Sequence, residues 1–276
     1  MNVLITGCST GIGRAAAERL ARAGMTVYAS ARRLQSIEDL KGAGCRTLAL
    51  DVTDEDSMRA AVEEVERAEG AVDALVNNAG YSQNGAVETV PLDDVRRQFE
   101  TNVFGLLRMS QLVLPGMRRQ GHGRIVNVSS MGGKLTFPGG GIYHATKHAV
   151  EALSDAMRFE VRGFGVDVVV IEPGLIRTAF ADTSVDSVPR EDGPYAEFNA
   201  AVANATAGAY HGPLGRLGGG PDAVAKTIER ALTADRPRTR YKVTPSARLL
   251  MAQRALLPDR AWDAVVGTSF PRPGRK

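Results

Sequence analysis

The sequence predicts an α/β fold, in which one doubly wound, mostly parallel seven-stranded sheet carries helices on both faces. Short apolar runs alternate with longer amphipathic stretches, which is the pattern of repeated strand–helix units. A length of 276 residues with 43% hydrophobic and 24% charged residues fits a single domain over residues 1–276. The predicted strands cover residues 3–6, 26–30, 46–50, 74–77, 124–129 and 167–172, with a weaker pattern at 241–244.

Helices are predicted between these strands. At residues 54–69 the apolar side chains form one stripe, and acids and arginines lie opposite. Further helices are predicted at 14–23, 92–119, 143–164 and 221–232. Because crossovers between parallel strands are right-handed, we expect the ligand crevice at the carboxyl ends of the strands.

Composition and charge exclude several classes of function. The chain shows no basic leader and no apolar run of the roughly 20 residues that span a bilayer, so a cytoplasmic location is predicted. Cys8 and Cys45 give neither a disulfide framework nor a metal-ligand spacing, and no feature predicts a nucleic-acid partner. The formal net charge is +3, yet ten basic residues against two acids follow residue 235. This basic end could meet a phosphorylated substrate, an acidic membrane surface or a second subunit, or it is simply solvated.

A glycine-rich turn follows the first predicted strand and precedes the first helix. Its glycines permit a tight turn and let the backbone approach a diphosphate, while the helix start offers free N–H groups and the positive end of its dipole. This context favours a dinucleotide site over a structural loop. The predicted contacts are Gly7, Ser9, Thr10, Gly11, Ile12 and Gly13.

The end of the second strand indicates which dinucleotide binds. NAD sites of this type place a carboxylate there for the ribose 2′-hydroxyl, whereas arginine matches a 2′-phosphate. Here Arg32 and Arg33 follow the strand, and no acid comes before Glu38. We therefore predict NADP, with NAD as the alternative, and expect Arg32 to clamp the phosphate with help from Ser30, and with Arg33 as a further candidate. The other interpretation is that these arginines only solvate the next helix.

Further residues are predicted to lie near the ligand crevice. Asn102 falls in mid-helix, where asparagine has poor propensity and usually needs a reason. Two strand ends are predicted to meet the adenine edge and the rest of the cofactor, through Asp51, Val52, Asn78, Ala79 and Gly80.

Tyr143 and Lys147 lie four residues apart in a predicted helix, so both side chains point from one face. A nearby cation stabilises a phenolate and moves its pKa from ~10 toward the range useful for proton transfer. Alone, such a pair is more often ordinary surface packing. Here Ser130 ends the fifth strand thirteen residues earlier.

These segments together resemble the short-chain dehydrogenase/reductase family of compact, single-domain Rossmann-fold enzymes. The signatures agree in order and spacing at residues 6–13, 77–80, 130–147 and 173–178, and the match runs from residue 2 to about 178. The resemblance implies that Tyr143 is the general acid/base, and that Lys147 lowers its pKa and holds the nicotinamide ribose. It implies that Ser130 hydrogen-bonds the substrate oxygen, and that Asn102 holds a water linking Lys147 to solvent.

The resemblance also implies the surroundings of the nicotinamide, and it bears on the cofactor. Many NADP-using relatives carry a basic residue where this chain has Thr10, so the NADP prediction depends on Arg32 and the missing acid. The nicotinamide end is expected to be surrounded by Pro173, Gly174, Ile176 and Thr178.

The second half of the chain bears on the substrate. Residues 179–220 are predicted to form a mobile lid, and residues 236–276 a basic amphipathic extension that closes the pocket, packs against a second subunit or rests on lipid. Resemblance to branches acting on steroids, retinoids or long-chain acyl ketones implies a lipophilic ketone or secondary alcohol. It also implies dimers or tetramers built on the two long helices.

Two other functions are considered. A catalytically silent dinucleotide sensor would keep the turn without the chemistry, and a peripheral membrane or assembly protein would use the basic extension. Metal binding by His144 and His148, which share a helical face, is not expected because no third ligand accompanies them.

Overall fold

One parallel sheet organises the protein, which confirms the predicted fold class. The computed structural model describes residues 1–190 and 192–274; Glu191 of the predicted lid and Arg275 and Lys276 of the predicted extension lie outside the described residues. The described strands are β1 Asn2–Ile5, β2 Thr26–Ala31, β3 Arg46–Ala49, β4 Ala74–Asn77, β5 Gly123–Val128, β6 Val166–Glu172 and β7 Arg240–Lys242. They pair in the order β3-β2-β1-β4-β5-β6-β7, and every pairing between them is parallel.

Helices cover both faces of the sheet. Short 3-10 segments add to them, including Leu34–Ala43 after β2. The α-helices of the described chain are α1 Gly11–Arg22, α2 Glu55–Glu69, α3 Leu92–Phe99, α4 Gly105–Gln120, α5 Gly141–Val161, α6 Ala179–Asp186, α7 Ala196–His211, α8 Pro221–Thr233, α9 Pro245–Leu256 and α10 Asp259–Val266. No helix within these residues combines the length and apolar character needed to span a membrane.

Two apolar layers form the core because side chains alternate between the faces of each strand. Val3 and Ile5 of β1 belong to the layer that contains α1 and α8. Leu4, between them, belongs to the layer that contains α2, α4 and α5. Burial on both faces explains why the strands are nearly continuous apolar runs in the sequence.

The predicted helix at 92–119 is interrupted by a π-helical turn, Glu100–Phe104, between α3 and α4. Asn102 lies in this turn and is 1% exposed. Its Nδ2 donates to the Tyr81 carbonyl at 2.9 Å and to Thr146 Oγ1 at 3.1 Å, and its Oδ1 accepts from the Tyr81 N–H at 3.1 Å. Such turns often occur at functional sites. These three bonds explain why asparagine stands in mid-helix.

The predicted lid folds largely into α6 and α7. It is attached to the loop after β4, since Asn84 Nδ2 donates to the Ser184 carbonyl at 3.0 Å and the Ala86 N–H donates to Asn199 Oδ1 at 3.0 Å. Phe198 and other lid residues pack against the same loop. The mobility of this lid stays a prediction.

The basic extension is integral to the fold, because it supplies β7, α9 and α10. Met251 and Trp262 pack with Met131 and Leu175, which follow β5 and β6. The Trp262 indole N–H also donates to the Thr136 carbonyl at 3.2 Å. Of the roles considered for this segment, these contacts favour packing against the wall of the site.

Candidate active site

A cavity of about 1860 Å³ opens at the carboxyl ends of the central strands, where the sequence predicted the crevice. It lies where the strand order changes direction, since β1 pairs with both β2 and β4. Three predicted residues, Gly13, Ser30 and Asn102, do not line it. The predicted residues that do are Gly7, Ser9, Thr10, Gly11, Ile12, Arg32, Asp51, Val52, Asn78, Ala79, Gly80, Ser130, Tyr143, Lys147, Pro173, Gly174, Ile176 and Thr178.

The turn between β1 and α1 has the conformation that its glycines allow. Gly7 has a φ of 74° and Gly11 a φ of 59°, in the left-handed region that favours glycine. A Cβ at Gly13 would collide with the Gly7 carbonyl and with the Asn78 amide, so Gly13 serves the close packing of the turn. Asn78 holds that turn by donating to the Thr6 carbonyl at 2.9 Å and the Gly7 carbonyl at 3.0 Å.

The start of α1 can hold an anionic group. Its first turn contains no acidic side chain, and Thr10 makes no side-chain cap, so no side chain there occupies the free N–H groups. Gly11 and Ile12 of this turn line the cavity. Thr178, from the loop after β6, lies over the turn, because a Cβ at Gly11 would come within 3.4 Å of its side chain. The loop after β6 therefore closes over the diphosphate region.

Some of the residues predicted around the ribose and the adenine line the cavity, and one is buried in the core. Arg32 and Arg33 both line the cavity, whereas Asp51 Oδ1 accepts from the Thr53 N–H and hydroxyl at 3.0 and 2.8 Å. The prediction that Ser30 helps Arg32 is wrong. Its side chain is fully buried and its hydroxyl donates to the Ile5 carbonyl at 2.8 Å, because the inward face of β2 points into the core.

Ser130, Tyr143 and Lys147 meet at one side of the cavity. Lys147 Nζ lies 5.8 Å from the centroid of the Tyr143 ring and donates to the Val128 carbonyl at 2.8 Å. Ser130 Oγ accepts from the Gly132 N–H at 3.0 Å, which caps the short turn after β5. The end of β5 and the first two turns of α5 thus position all three side chains.

The titration of this group differs from the expectation. Burial raises the pKa of Tyr143, the neighbouring Ser130 works in the opposite direction, and Tyr210 raises it further. Burial lowers the pKa of Lys147 to about 8, although Glu151 raises it. The structure therefore does not support the expected lowering of the Tyr143 pKa by Lys147, because loss of solvent outweighs the other influences on the phenol.

The side chain of Asn102 is hydrogen-bonded within the protein. Both polar atoms of its side chain bind Tyr81 or Thr146, and it lies outside the cavity lining. Thr146 in turn donates to the Tyr143 carbonyl at 2.7 Å. These contacts tie the π-helical turn to α5, and they do not support the prediction that Asn102 holds a water for Lys147.

Sequence patterns missed several residues near Tyr143. The ring of Phe180 in α6 contacts the Tyr143 ring at a tilt of 57°, with 5.6 Å between ring centroids, and Tyr210 of α7 lines the same cavity. Phe137 contacts Trp262 at 5.8 Å between centroids. No local signal could have identified Phe180 and Tyr210, because folding brings them to Tyr143 from distant segments.

The two histidines of α5 are used within the protein. His144 Nδ1 contacts the Gly132 carbonyl at 3.2 Å, and burial lowers its pKa to about 4. His148 Nδ1 contacts the His144 carbonyl at 2.9 Å. No group of three metal-binding side chains was found among the described residues.

Two buried carboxylates belong to α5 and to the end of β6. Glu151 of α5 is 3% exposed, and Glu172 at the end of β6 is 0% exposed. Arg240 lies between them, with Nε 2.9 Å from Glu151 and 3.5 Å from Glu172, and Lys134 is 3.1 Å from Glu151. Neither Glu172 oxygen has a hydrogen-bond partner. Burial raises the pKa of Glu172 to about 7, Glu151 adds to this, and Arg240 opposes it.

Glu172 should make stability depend on pH. A carboxyl whose pKa rises from 4.5 to about 7 on folding binds its proton more tightly in the folded chain. The free energy of unfolding then falls as pH rises through that window and is level above it. We expect Glu172→Gln to melt a few degrees higher than the wild type at pH 8, with little difference at pH 4.5. Calorimetric melts across this range test it, and parallel curves at all pH values would contradict it.

Comparisons with known proteins agree with this geometry. The model of the short chain dehydrogenase family matches residues 1–188. The chain is 34% identical over 272 residues to the NADPH-dependent 3-dehydrocapnine reductase of Ornithobacterium rhinotracheale, covering 95% of this chain and 94% of that protein. It is 33% identical over 287 residues to 17-beta-hydroxysteroid dehydrogenase type 6 of Bos taurus, covering 99% and 90%. A short-chain dehydrogenase structure from Streptomyces avermitilis matches with a TM-score of 0.76 and 34% identity, covering 98% of this chain and 99% of that one.

Proposed function

The chain belongs to the short chain dehydrogenase family of oxidoreductases, and we propose that it transfers a hydride between NADP and the carbonyl or secondary-alcohol carbon of a lipophilic substrate. The observation that carries the proposal is the meeting of Ser130, Tyr143 and Lys147 on the cavity that the glycine-rich turn also lines. A silent sensor would have no need for this set.

NADP fits the residues present. A Cβ at Gly7 would lie 2.8 Å from the Ala79 Cα, so only glycine lets the turn after β1 pack this closely against the turn after β4. Arg32 is exposed on the cavity and has no ion-pair partner among the described residues, which suits a 2′-phosphate. A relative of the chain is named as NADPH-dependent. Bound NADPH supplies a hydride, and bound NADP⁺ accepts one.

Tyr143 is suited to give a proton during reduction. Because burial raises the pKa of its phenol, the group holds its proton at neutral pH. As negative charge develops on the substrate oxygen, the phenol donates its proton and the Ser130 hydroxyl donates a hydrogen bond to that oxygen. In the direction of oxidation, the deprotonated Tyr143 oxygen accepts the proton of the substrate hydroxyl, and the Ser130 hydroxyl hydrogen-bonds the same substrate oxygen.

Lys147 supports the phenol after the proton has left. Its ammonium lies on the same helix face as Tyr143, and it is fixed by the Val128 carbonyl. A fixed cation near the phenolate stabilises the charge that the transfer leaves on the tyrosine. With a pKa of about 8, Lys147 can exchange a proton close to neutral pH.

The cavity wall beyond Tyr143 favours an apolar substrate. Aromatic and aliphatic side chains come from the loop after β5, the lid and α9, and they surround the space next to the phenol. One similar protein is named as a hydroxysteroid dehydrogenase. The apolar lining consists of Met131, Phe137, Leu175, Phe180, Val202, Tyr210 and Leu250.

A substrate panel tests both parts of the proposal. NADPH and NADH oxidation should be followed with ketones that differ in chain length and ring number, alongside small polar sugars and hydroxy acids. We expect kcat/KM to rise with the apolar area of the ketone and to be higher with NADPH. Turnover confined to the small polar compounds would argue against the lipophilic substrate but would leave the hydride transfer in place.

A cytoplasmic location stays a prediction.

We also propose that the protein self-associates through the long helices. Leu92, Phe104, Phe159 and Phe164 are exposed on and beside α3–α5, and Phe159 is 88% exposed. We expect Phe159→Glu to shift the protein toward the monomer in multi-angle light scattering. An unchanged distribution would place the contact elsewhere.

A further inference from the structure

A second cavity of about 670 Å³ lies between α1, α8, β7 and α9, and we call it the basic cavity. The cavity at the carboxyl ends of the central strands is called the dinucleotide cavity below. The basic cavity shares no lining residue with it. One carboxylate, Glu229, belongs to the lining. Its basic members are Arg19, Lys226, Arg230, Arg238, Arg240, Lys242 and Arg248.

Most of these cations have no carboxylate partner among the described residues. Arg19 Nε binds Glu229 Oε2 at 2.5 Å, so the one carboxylate of the lining is already engaged. Arg240 is turned toward the buried acids, with 2.9 Å to Glu151 and 2.6 Å to Asp155. The cations left over are Lys226, Arg230, Arg238, Lys242 and Arg248, and all five are exposed.

Five cations around one concave surface point to an anionic ligand. Their charges repel one another, and a cleft lined by one sign of charge concentrates the field and attracts counter-ions. An anion with several charges removes that repulsion and gains charge-assisted hydrogen bonds. Three of the five are arginines, whose planar fork of donors matches phosphate oxygens. A volume of about 670 Å³ is within the range of small-ligand pockets.

We propose that the basic cavity binds a phosphate-bearing anion, separately from the dinucleotide. Three cations of the basic extension, Arg238, Lys242 and Arg248, thereby join Lys226 and Arg230 of α8 in one site. The ligand's phosphate contacts α8, β7 and α9, and its source is a soluble phosphate or the headgroup of an anionic lipid.

Calorimetric titration of inorganic pyrophosphate into the full chain tests this site. The protein is first saturated with NADP, so that pyrophosphate cannot occupy the dinucleotide cavity. We expect saturable binding of one pyrophosphate to the wild type. The triple variant Lys226→Gln, Arg230→Gln, Lys242→Gln should weaken it roughly tenfold or more, because several hydrogen bonds between charged groups are lost.

A matched control variant distinguishes binding at the basic cavity from an effect of the protein's net charge. Lys41→Gln, Arg67→Gln, Arg162→Gln removes the same charge from exposed residues outside both cavities. We expect its pyrophosphate affinity to stay within about twofold of the wild type, since distant surface charges are screened by salt. Should the cavity triple fail to fold, Arg230→Gln alone gives the same comparison with a smaller loss.

Vesicle sedimentation distinguishes the two sources of phosphate. Binding to vesicles with phosphatidylglycerol, but not to pure phosphatidylcholine, that is lost in the cavity triple assigns the site to lipid headgroups. Saturable pyrophosphate binding without vesicle binding assigns it to a soluble phosphate. The proposal is overturned if neither probe binds, or if both triples weaken binding equally.

Discussion

Replacing Tyr143 with phenylalanine is expected to lower kcat for ketone reduction by about 10²–10⁴-fold, the range that a positioned general acid contributes. The phenyl ring keeps the contact with Phe180 at 5.6 Å between centroids, so the packing of the cavity should be preserved. What is lost is the proton on the substrate oxygen. Steady-state NADPH oxidation with the best ketone of the panel measures the effect.

Tyr210→Phe is the matched control, because it removes a second phenol from the same cavity. Burial also raises the pKa of Tyr210, so the two groups differ mainly in their neighbours. Ser130 and Lys147 lie beside Tyr143 and not beside Tyr210. We therefore expect Tyr210→Phe to lower kcat much less than Tyr143→Phe. Equal losses in the two variants would contradict the assignment of the proton to Tyr143, as would a Tyr143→Phe variant that no longer binds NADP.

Removal of the Arg32 guanidinium is expected to change the cofactor preference. Arg32→Ala should raise the KM for NADPH by about 10–100-fold, the value of a lost hydrogen-bonded contact to a charged group. NADH lacks the 2′-phosphate, so its kcat/KM should change by less than about threefold. Initial rates with both coenzymes at fixed ketone concentration give the comparison.

Arg97→Ala provides the control for Arg32, since Arg97 also lines the cavity but is ion-paired with Asp94. It should affect NADPH and NADH to a similar, small extent. If Arg32→Ala instead weakens both coenzymes equally, the arginine does not recognise the 2′-phosphate, and the NADP assignment loses its main support.

Much of the fold could be predicted because its signals are local. The strands appeared as apolar runs, and the predicted segment at 74–77 coincides with the observed β4. The helix at 54–69 was predicted to within one residue of α2, because one stripe of Met58, Ala61, Val62 and Val65 is buried. The π-helical turn at Asn102 was not foreseen, although asparagine in mid-helix was recognised as unusual.

The candidate site was predictable where its residues lie in one segment. The turn at 6–13 and the Tyr143–Lys147 pair each lie within one segment, and their order and spacing with the other signatures carried the resemblance that implied their roles. Ser30 was misplaced because one residue along a strand changes the face on which a side chain lies, and the face toward the phosphate could not be read from composition. The pKa of Tyr143 depends on burial by the lid, which is assembled from distant residues.

The sequence by itself determined the sheet, the glycine-rich turn and the order of the reacting groups, because these depend on periodicity and on spacing within one helix or turn. Only the tertiary structure decided the direction in which the pKa values of Tyr143 and Lys147 shift, the apolar wall from the lid and extension, and the clustering of α8, β7 and α9 cations. Each of these depends on solvent exclusion or on charge proximity between segments far apart in the chain, and neither quantity is encoded at any one position.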